Sequence, residues 1–287
     1  MRKAERNRPR VAADFEVYNG DCMDAMKGMA DESVALLVSD PPYAVGFASE
    51  RTTYDDSKDS VMSLAPLWFA EWLRIMRPGA WAFVFTGTKN LNRWIEIGEA
   101  AGFTYKNLIA TRSFNRGRMC FNNFVFELQP VVVFSKGGKG RNFNEVDFFP
   151  TSAEWLRDRR NSNPKPFSYA YSNWIPSDLC YGTETFGQTD GKKNWHPNAK
   201  SERLCRFFVE IASDEGDLVF DPFTGCGTTG AAAVSVGRRF YGCEQDPHWA
   251  EVARRRISGD AEWKRSSVDA GEAGRPRFVQ TTMFDFM

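Results

Sequence analysis

Residues 218–244 leave the chain little choice of fold. Leu218-Val219-Phe220 is apolar enough for a buried strand, and it runs into Asp221-Pro222-Phe223-Thr224-Gly225-Cys226-Gly227-Thr228-Thr229-Gly230. Pro222 has no N–H to give a sheet ladder, so the strand must end beside Asp221. Ala231 to Val236 predicts a helix closed by Gly237, and Phe240-Tyr241-Gly242-Cys243 reads as a second strand finishing at Glu244. Strand, glycine turn, helix and strand in that order form a crossover unit whose two strands run parallel. Glycines at 225, 227 and 230 let the backbone come close to a bound cofactor.

The acids around this unit say what kind of cofactor. Glu244 lies twenty-three residues beyond Asp221, at the tip of the next strand, where it can accept hydrogen bonds from ribose hydroxyls. Dinucleotide binding fits less well, because Asp221 precedes the glycines. A carboxylate there suits a cofactor with a cationic end, and S-adenosylmethionine carries both an ammonium and a sulfonium.

A second strand end has the same character. Val34-Ala35-Leu36-Leu37-Val38-Ser39 predicts a buried strand that stops at Asp40-Pro41-Pro42-Tyr43. Each proline restricts the residue before it to extended geometry, so the loop is stiff and pre-set. It offers a carboxylate, a carbonyl and a flat ring just past a strand end, which is where open α/β sheets bind their ligands. That set suits gripping a planar group bearing an amine. For this loop and for Asp221 to serve one reaction, the two strands must lie side by side at a switch point of one sheet.

Elsewhere the pattern is uneven. Phe15 to Asp21 alternates like a short strand ending in Gly-Asp, and Cys22 to Met29 has helical spacing. Gly46 to Ser60 is polar and long for a connection, a binding loop or a plain surface loop. Residues 61–77 read as a helix stopped by Arg77-Pro78-Gly79. Trp81–Phe85 reads as a strand, and Leu91–Ala101 as a helix closed by Gly102. The alternation predicts a parallel sheet with crossover helices. A helical apolar face returns at Leu204, Phe207, Phe208 and Ile211, and a last helix covers about 249–257. Residues 1–13 and 259–287 are expected to be loose tails.

Charge is concentrated in one place. The formal net charge is zero, yet residues 106–165 hold eleven Lys and Arg against five Asp and Glu. Arg112, Arg116, Arg118, Arg157, Arg159 and Arg160 are interleaved with aromatics and asparagines, the side chains that neutralise phosphates and read base edges. A solvated basic insertion is the plainer account of the same run. The six cysteines form no C-x-x-C pair and have only His196 and His248 to help, so a metal site is not expected and reduced, buried thiols are. Without an apolar leader or a run long enough to span a bilayer, no membrane association is expected, and the cytoplasm is the expected compartment. A homodimer is compatible with the sequence, and the oligomeric state needs a direct mass measurement.

Val38-Ser39-Asp40-Pro41-Pro42-Tyr43 resembles the catalytic motif of the exocyclic-amino DNA methyltransferases, and Asp221 to Thr228 is similar to their S-adenosylmethionine motif. The catalytic motif comes first, the cofactor motif last and a basic segment between, as in the permuted beta group. Asn19-Gly20-Asp21-Cys22 and His196-Pro197-Asn198-Ala199-Lys200 are similar to two further elements of that group, and the likeness spans roughly residues 15–257. It implies a Rossmann-like α/β methyltransferase sheet with permuted motif order. Its catalytic half would be 14–110, a target-recognition insertion 111–193 and its cofactor half 194–258.

The resemblance assigns roles residue by residue. Asp221, Phe223, Gly225, Gly227 and Thr228 would hold the methionine end of the cofactor, Glu244 its ribose, Asp21 its adenine, and Lys200 would help with its carboxylate. A base flipped from duplex DNA would stack on Tyr43, while Asp40 and the carbonyl of Pro41, braced by Pro42, accept its two amino hydrogens. Asp at the first motif position favours the N6 amine of adenine, with the N4 amine of cytosine as the alternative. Attack at a cytosine ring carbon would need a cysteine nucleophile, and no Pro-Cys dipeptide exists. A non-catalytic DNA-binding regulator of this fold, an RNA or protein methyltransferase and an NAD-linked oxidoreductase are the other classes, each of which leaves part of the pattern unused.

Overall fold

The computed structural model describes residues 14–44, 46, 56–112, 128–144, 146, 175, 186–189, 192–194 and 199–259. In chain order they form β1 (Phe15–Asn19), α1 (Cys22–Lys27), β2 (Val34–Ser39), α2 (Lys58–Ile75), β3 (Met76–Phe85), α3 (Leu91–Ala101), β4 (Phe103–Arg112), β5 (Leu128–Lys136), β6 (Phe186–Thr189) and β7 (Lys192–Asn194). Then come α4 (Glu202–Ala212), β8 (Leu218–Asp221), α5 (Thr228–Ser235), β9 (Arg239–Glu244) and α6 (Pro247–Ser258).

Seven strands form one sheet in the order β1-β9-β8-β2-β3-β5-β4, and β6 pairs with β7 separately. β1, β9, β8, β2 and β3 run parallel, as expected. β5 is antiparallel to both β3 and β4, so the sheet is mixed rather than wholly parallel. All six residues of β2 are buried, because it is an inner strand covered on both faces. Alternate residues of β3 and β5 divide between two cores. Phe83, Phe85, Val131 and Val133 pack with Leu204, Phe207 and Phe208 of α4, with Ala233 of α5 and with Ala253 and Ile257 of α6. Ala82, Val84, Val132 and Phe134 face α1, α2 and α3 through Met26, Phe69, Trp72 and Trp94. The result is three layers, with three helices of the described residues on each side of the sheet.

Three expectations change. The helix expected at 61–77 starts earlier, where the Ser57 hydroxyl caps it by accepting from Ser60 N, and it ends at Ile75. Arg77-Pro78-Gly79 is not a free turn but an irregularity inside β3. Met76 pairs with Val34 and Trp81 with Leu36, and the extra residues bulge out with Gly79 at φ +78°. The insertion boundaries also move. Residues 128–136 were assigned to the insertion, yet β5 is an inner strand of the main sheet, and β4 reaches Arg112. Strand β4 escapes pattern reading because Lys106 and Asn107 interrupt its alternation at a register shift on the sheet's outer edge. Among the described residues no helix is long and apolar enough to cross a membrane.

Candidate active site

β8 and β2 are direct neighbours, with Val219 opposite Leu36 and Phe220 opposite Leu37. From β8 the chain leaves through α5 on one face towards β9, and from β2 it leaves through α2 on the other face towards β3. Strand order therefore reverses between them. Their carboxyl ends open into the crevice where such sheets take ligands, and Asp40 and Asp221 stand at its two lips.

The loop after β2 is held from several sides. Tyr43 Oη donates to Asp40 Oδ1 in a short bond. Gln129 Nε2 at the start of β5 donates to Tyr43 Oη at 3.2 Å and to Thr86 O at 2.8 Å. Asn90 Nδ2 donates to the carbonyls of Tyr43 (3.1 Å) and Ala44 (2.9 Å). Asp56, almost wholly buried, accepts from Ala44 N at 2.8 Å. Ala44 has φ +59°, a left-handed conformation that costs a residue with a Cβ roughly 1–2 kcal/mol. Asn90 and Asp56 grip its carbonyl and its N–H and offset that strain. Gln129, Asn90, Thr86 and Asp56 belong to no motif, and each is a single polar residue in an otherwise ordinary stretch; nothing in the sequence marks them.

Lys200, expected to help with a cofactor carboxylate, donates from its Nζ to Asp40 Oδ2 at 2.5 Å. The same ammonium lies 5.7 Å from the Tyr43 ring centroid and 5.3 Å from that of Phe85. Asp40 is a largely shielded carboxylate, and Lys200 brings it an opposite charge.

The glycine turn after β8 is built for close approach. Gly225 and Gly227 have φ +53° and +82°. A Cβ on Gly227 would lie 2.9 Å from Ala253 Cα, because α6 packs against the turn there. Gly227→Ala should therefore force both a left-handed alanine and a backbone clash. We expect about 3 kcal/mol or more of lost stability, read from the urea midpoint at unchanged slope. A variant within about 0.5 kcal/mol of the parent would mean that α6 can yield.

Below the turn sit its supports. Thr228, expected at the methionine end of the cofactor, has a buried hydroxyl that accepts from Arg256 Nη1 at 2.8 Å, and Arg256 pairs with Glu202 Oε2 at 2.9 Å. Arg256 thus ties α6 and α4 to the turn. Phe223 donates its N–H to Asp221 Oδ1 at 3.1 Å, and its ring meets Trp68 of α2 edge-on at 4.9 Å.

The acids of the site are out of water. Burial pushes the Asp221 carboxyl up to about 7, only partly relieved by hydrogen bonds from Thr229 and Phe223, and the carboxylates of Asp40 and Glu244 raise it further. Among the described residues no basic side chain pairs with Asp221, which is the condition of a carboxylate that fits a cationic ligand. Burial also raises Glu244, whose oxygens accept from Gly225 N and Asp246 N, each at 2.9 Å. Asp21 follows β1, whose Asn19 pairs with Glu244. It caps α1 by accepting from Met23 N at 2.7 Å, and its Oδ2 accepts from Gln245 Nε2 at 2.9 Å. Asp21, Asp40, Asp221 and Glu244 thus line one edge of the sheet. Burial raises the Cys22 thiol to about 12, and Cys205 and Cys243 rise further, so these sulfurs stay protonated and unreactive.

The expected nucleic-acid residues are not tested by this geometry. Arg116, Arg118, Arg157, Arg159 and Arg160 lie outside the described residues, and of Arg112 only the backbone, at the end of β4, is described.

Comparison with known proteins adds an independent line. The family model described as DNA methylase matches residues 34–255. Two curated relatives are the DNA adenine methyltransferase YhdJ of Escherichia coli K12, 26% identical over 245 residues, and the type II methyltransferase M.HpaI of Haemophilus parainfluenzae, 24% identical over 252. The first alignment covers 84% of this chain and 82% of the relative, the second 86% and 75%. Among solved structures, the cytosine-N4-specific PvuII DNA methyltransferase superposes with a TM-score of 0.62 at 16% identity, covering 90% of this chain and 91% of that one. TTHA0409 of Thermus thermophilus, a putative DNA modification methylase solved with S-adenosyl-L-methionine, gives 0.58 at 20% identity, covering 85% and 93%.

Proposed function

The chain belongs to the exocyclic-amino DNA methylases, and from that premise we propose that it transfers a methyl group from S-adenosylmethionine to the N6 amine of adenine in duplex DNA. The observation that carries this reading is the convergence of Asp40 and Asp221 at neighbouring strand ends, one lip suited to an amine and the other to a cation.

When bound, S-adenosylmethionine supplies a methyl group made electrophilic by its sulfonium. The chain's own residues do the rest. Asp221 pairs with the ammonium of the methionine end, and the glycine turn gives that end room. Glu244 and Asp21 are available to the ribose and the adenine. Tyr43 stacks on the flipped target base, a contact worth about 1–3 kcal/mol by analogy with other base–aromatic stacks. Asp40 and the Pro41 carbonyl accept the two amino hydrogens, which favours a pyramidal nitrogen and returns its lone pair for in-line attack. The nitrogen would gain the methyl as the carbon–sulfur bond breaks to leave the neutral thioether, and would give up one proton to solvent by way of Asp40, so no covalent enzyme intermediate is needed. Positioning and fixed electrostatics supply the rate. Gln129 and Asn90, by fixing Tyr43 and the loop carbonyls, hold those acceptors at a constant angle.

The choice of adenine rests on Asp as the first residue of the Asp40 loop and on the adenine specificity named for one curated relative. Cytosine N4 is the second reading, because the same two acceptors fit either amine. Labelled S-adenosylmethionine, duplex DNA and purified protein, followed by digestion to nucleosides, separate the two. We expect the label in N6-methyladenine; label in N4-methylcytosine would reverse the base, and none in DNA would overturn the activity.

A further inference from the structure

If the target amine must reach Asp40, it finds both carboxylate oxygens already engaged. Oδ1 accepts from the Tyr43 hydroxyl, and Oδ2 accepts from Lys200 Nζ at 2.5 Å. The two side chains of the ion pair are only 16% and 20% exposed, so water screens it weakly. The ammonium also lies 5.7 Å from the Tyr43 centroid and 5.3 Å from the Phe85 centroid, over the ring on which a base would stack. Both Lys200 and a base amine would make charge-assisted bonds to Asp40, but the ammonium adds the attraction of a full opposite charge in a shielded pair, so a neutral amine competes at a disadvantage.

We propose that Lys200 is a gate: without cofactor its ammonium stands in for the target amine on Asp40 and Tyr43, and it withdraws when a cationic ligand enters beside Asp221. The proposal rests on the methyl-transfer reading of this site. Lys200 lies next to Ser201, which caps α4 by accepting from Leu204 N at 3.4 Å, so its backbone is anchored and only its stem need swing. Asp40 and Asp221 are close enough to repel one another. A second cation between them weakens the hold of Asp40 on Lys200, and a carboxylate arriving with it gives the ammonium another partner. Acceptance of the base is then coupled to cofactor binding, and the coupling must be reciprocal.

The first test needs no DNA. In enzyme labelled with nitrogen-15 at lysine, the Lys200 ammonium resonance, assigned by its loss in Lys200→Met, should be protected from exchange in free protein. It should lose that protection on saturation with sinefungin or with S-adenosylhomocysteine, since both carry the amino-acid ammonium that Asp221 pairs with and the carboxylate offered to Lys200. A resonance unmoved by saturating sinefungin overturns the proposal. The second test uses duplexes containing the mapped target base or its analogue lacking the amine. Any effect of the missing amine on the duplex is common to every arm and cancels. Wild-type enzyme should prefer the amine by about tenfold with sinefungin and not without it, whereas Lys200→Met should prefer it in both states. Lys200→Arg keeps a cation in place and should behave as wild type. Equal preference in wild-type enzyme with and without sinefungin overturns the gate. Failure to find any methylated base would remove the catalytic reading, while the resonance experiment would still decide whether Lys200 moves.

Discussion

Asp40→Ala is expected to abolish methyl transfer while leaving the protein folded and able to bind cofactor. Removing one preorganised polar group from a transition state costs about 100- to 1,000-fold in rate, and here the group lost is the charged member of a pair of acceptors. We expect turnover to fall by about 1,000-fold or more. Cofactor binding should be largely retained, because Asp221 and the glycine turn stay in place, and release of Lys200 from Asp40 should change affinity far less than it changes turnover. Single-turnover transfer of labelled methyl, with calorimetric titration of sinefungin, reads both quantities. Asp40→Asn is the informative companion. It keeps one carbonyl acceptor and nearly the same shape, so it should retain more activity than alanine while losing the ion pair with Lys200. Turnover within about tenfold of wild type in Asp40→Ala would remove Asp40 from the chemistry.

How much of this site could be read from the chain alone follows from where the information sits. Asp40-Pro41-Pro42-Tyr43 and Asp221 to Gly227 are local: prolines end the strands, glycines open the turn, and each motif carries its own geometry. That β2 and β8 are neighbours follows from asking both motifs to serve one reaction, and the strand pairing agrees. Local patterning also gives α3, which Gly102 closes in a left-handed conformation at φ +106°. The polar scaffold was invisible for the opposite reason. Gln129 is 86 residues from Tyr43, Asn90 is 47 from it, and Lys200 is 160 from Asp40, so no window holds both partners. β5 was hidden differently. Its apolar core Val131–Phe134 reads as a strand, but whether a strand joins the main sheet or an insertion is decided by pairing with β3, not by its own residues. A threonine opening a helix after glycines suits a ligand or a support, and the buried guanidinium of Arg256 beneath Thr228, 28 residues away in the chain, is not visible in any local window.

Asp221→Asn should change affinity and stability in opposite directions. Asparagine keeps the shape of the side chain, can still accept from Phe223 N, and can donate to Thr229 where the carboxylate accepted. It removes a buried charge that has no cationic partner among the described residues. The carboxyl of Asp221 is raised from 3.8 to about 7, chiefly by burial. Between those two values the native state keeps a proton that the unfolded chain has released, so stability falls as pH rises through that window and is flat above about 7. Wild type and variant should therefore have similar melting temperatures near the acid end. At pH 8 the ligand-free variant should be the more stable by on the order of a few kcal/mol. Taking the difference between the two proteins cancels Glu244, which burial also raises and which both contain. Binding should move the other way. Losing one partner of a buried ion pair costs about 2–5 kcal/mol, so affinity for sinefungin should fall by about 100-fold in the variant. In wild type, affinity should climb as pH rises towards 7, by up to about tenfold per unit, because the proton on Asp221 must leave before the ammonium can pair with it. Titration calorimetry in buffers of different ionisation enthalpy would detect that proton in wild type and not in the variant. If the two proteins bind sinefungin equally well, or release the same number of protons below pH 7, the cation is held by some other group.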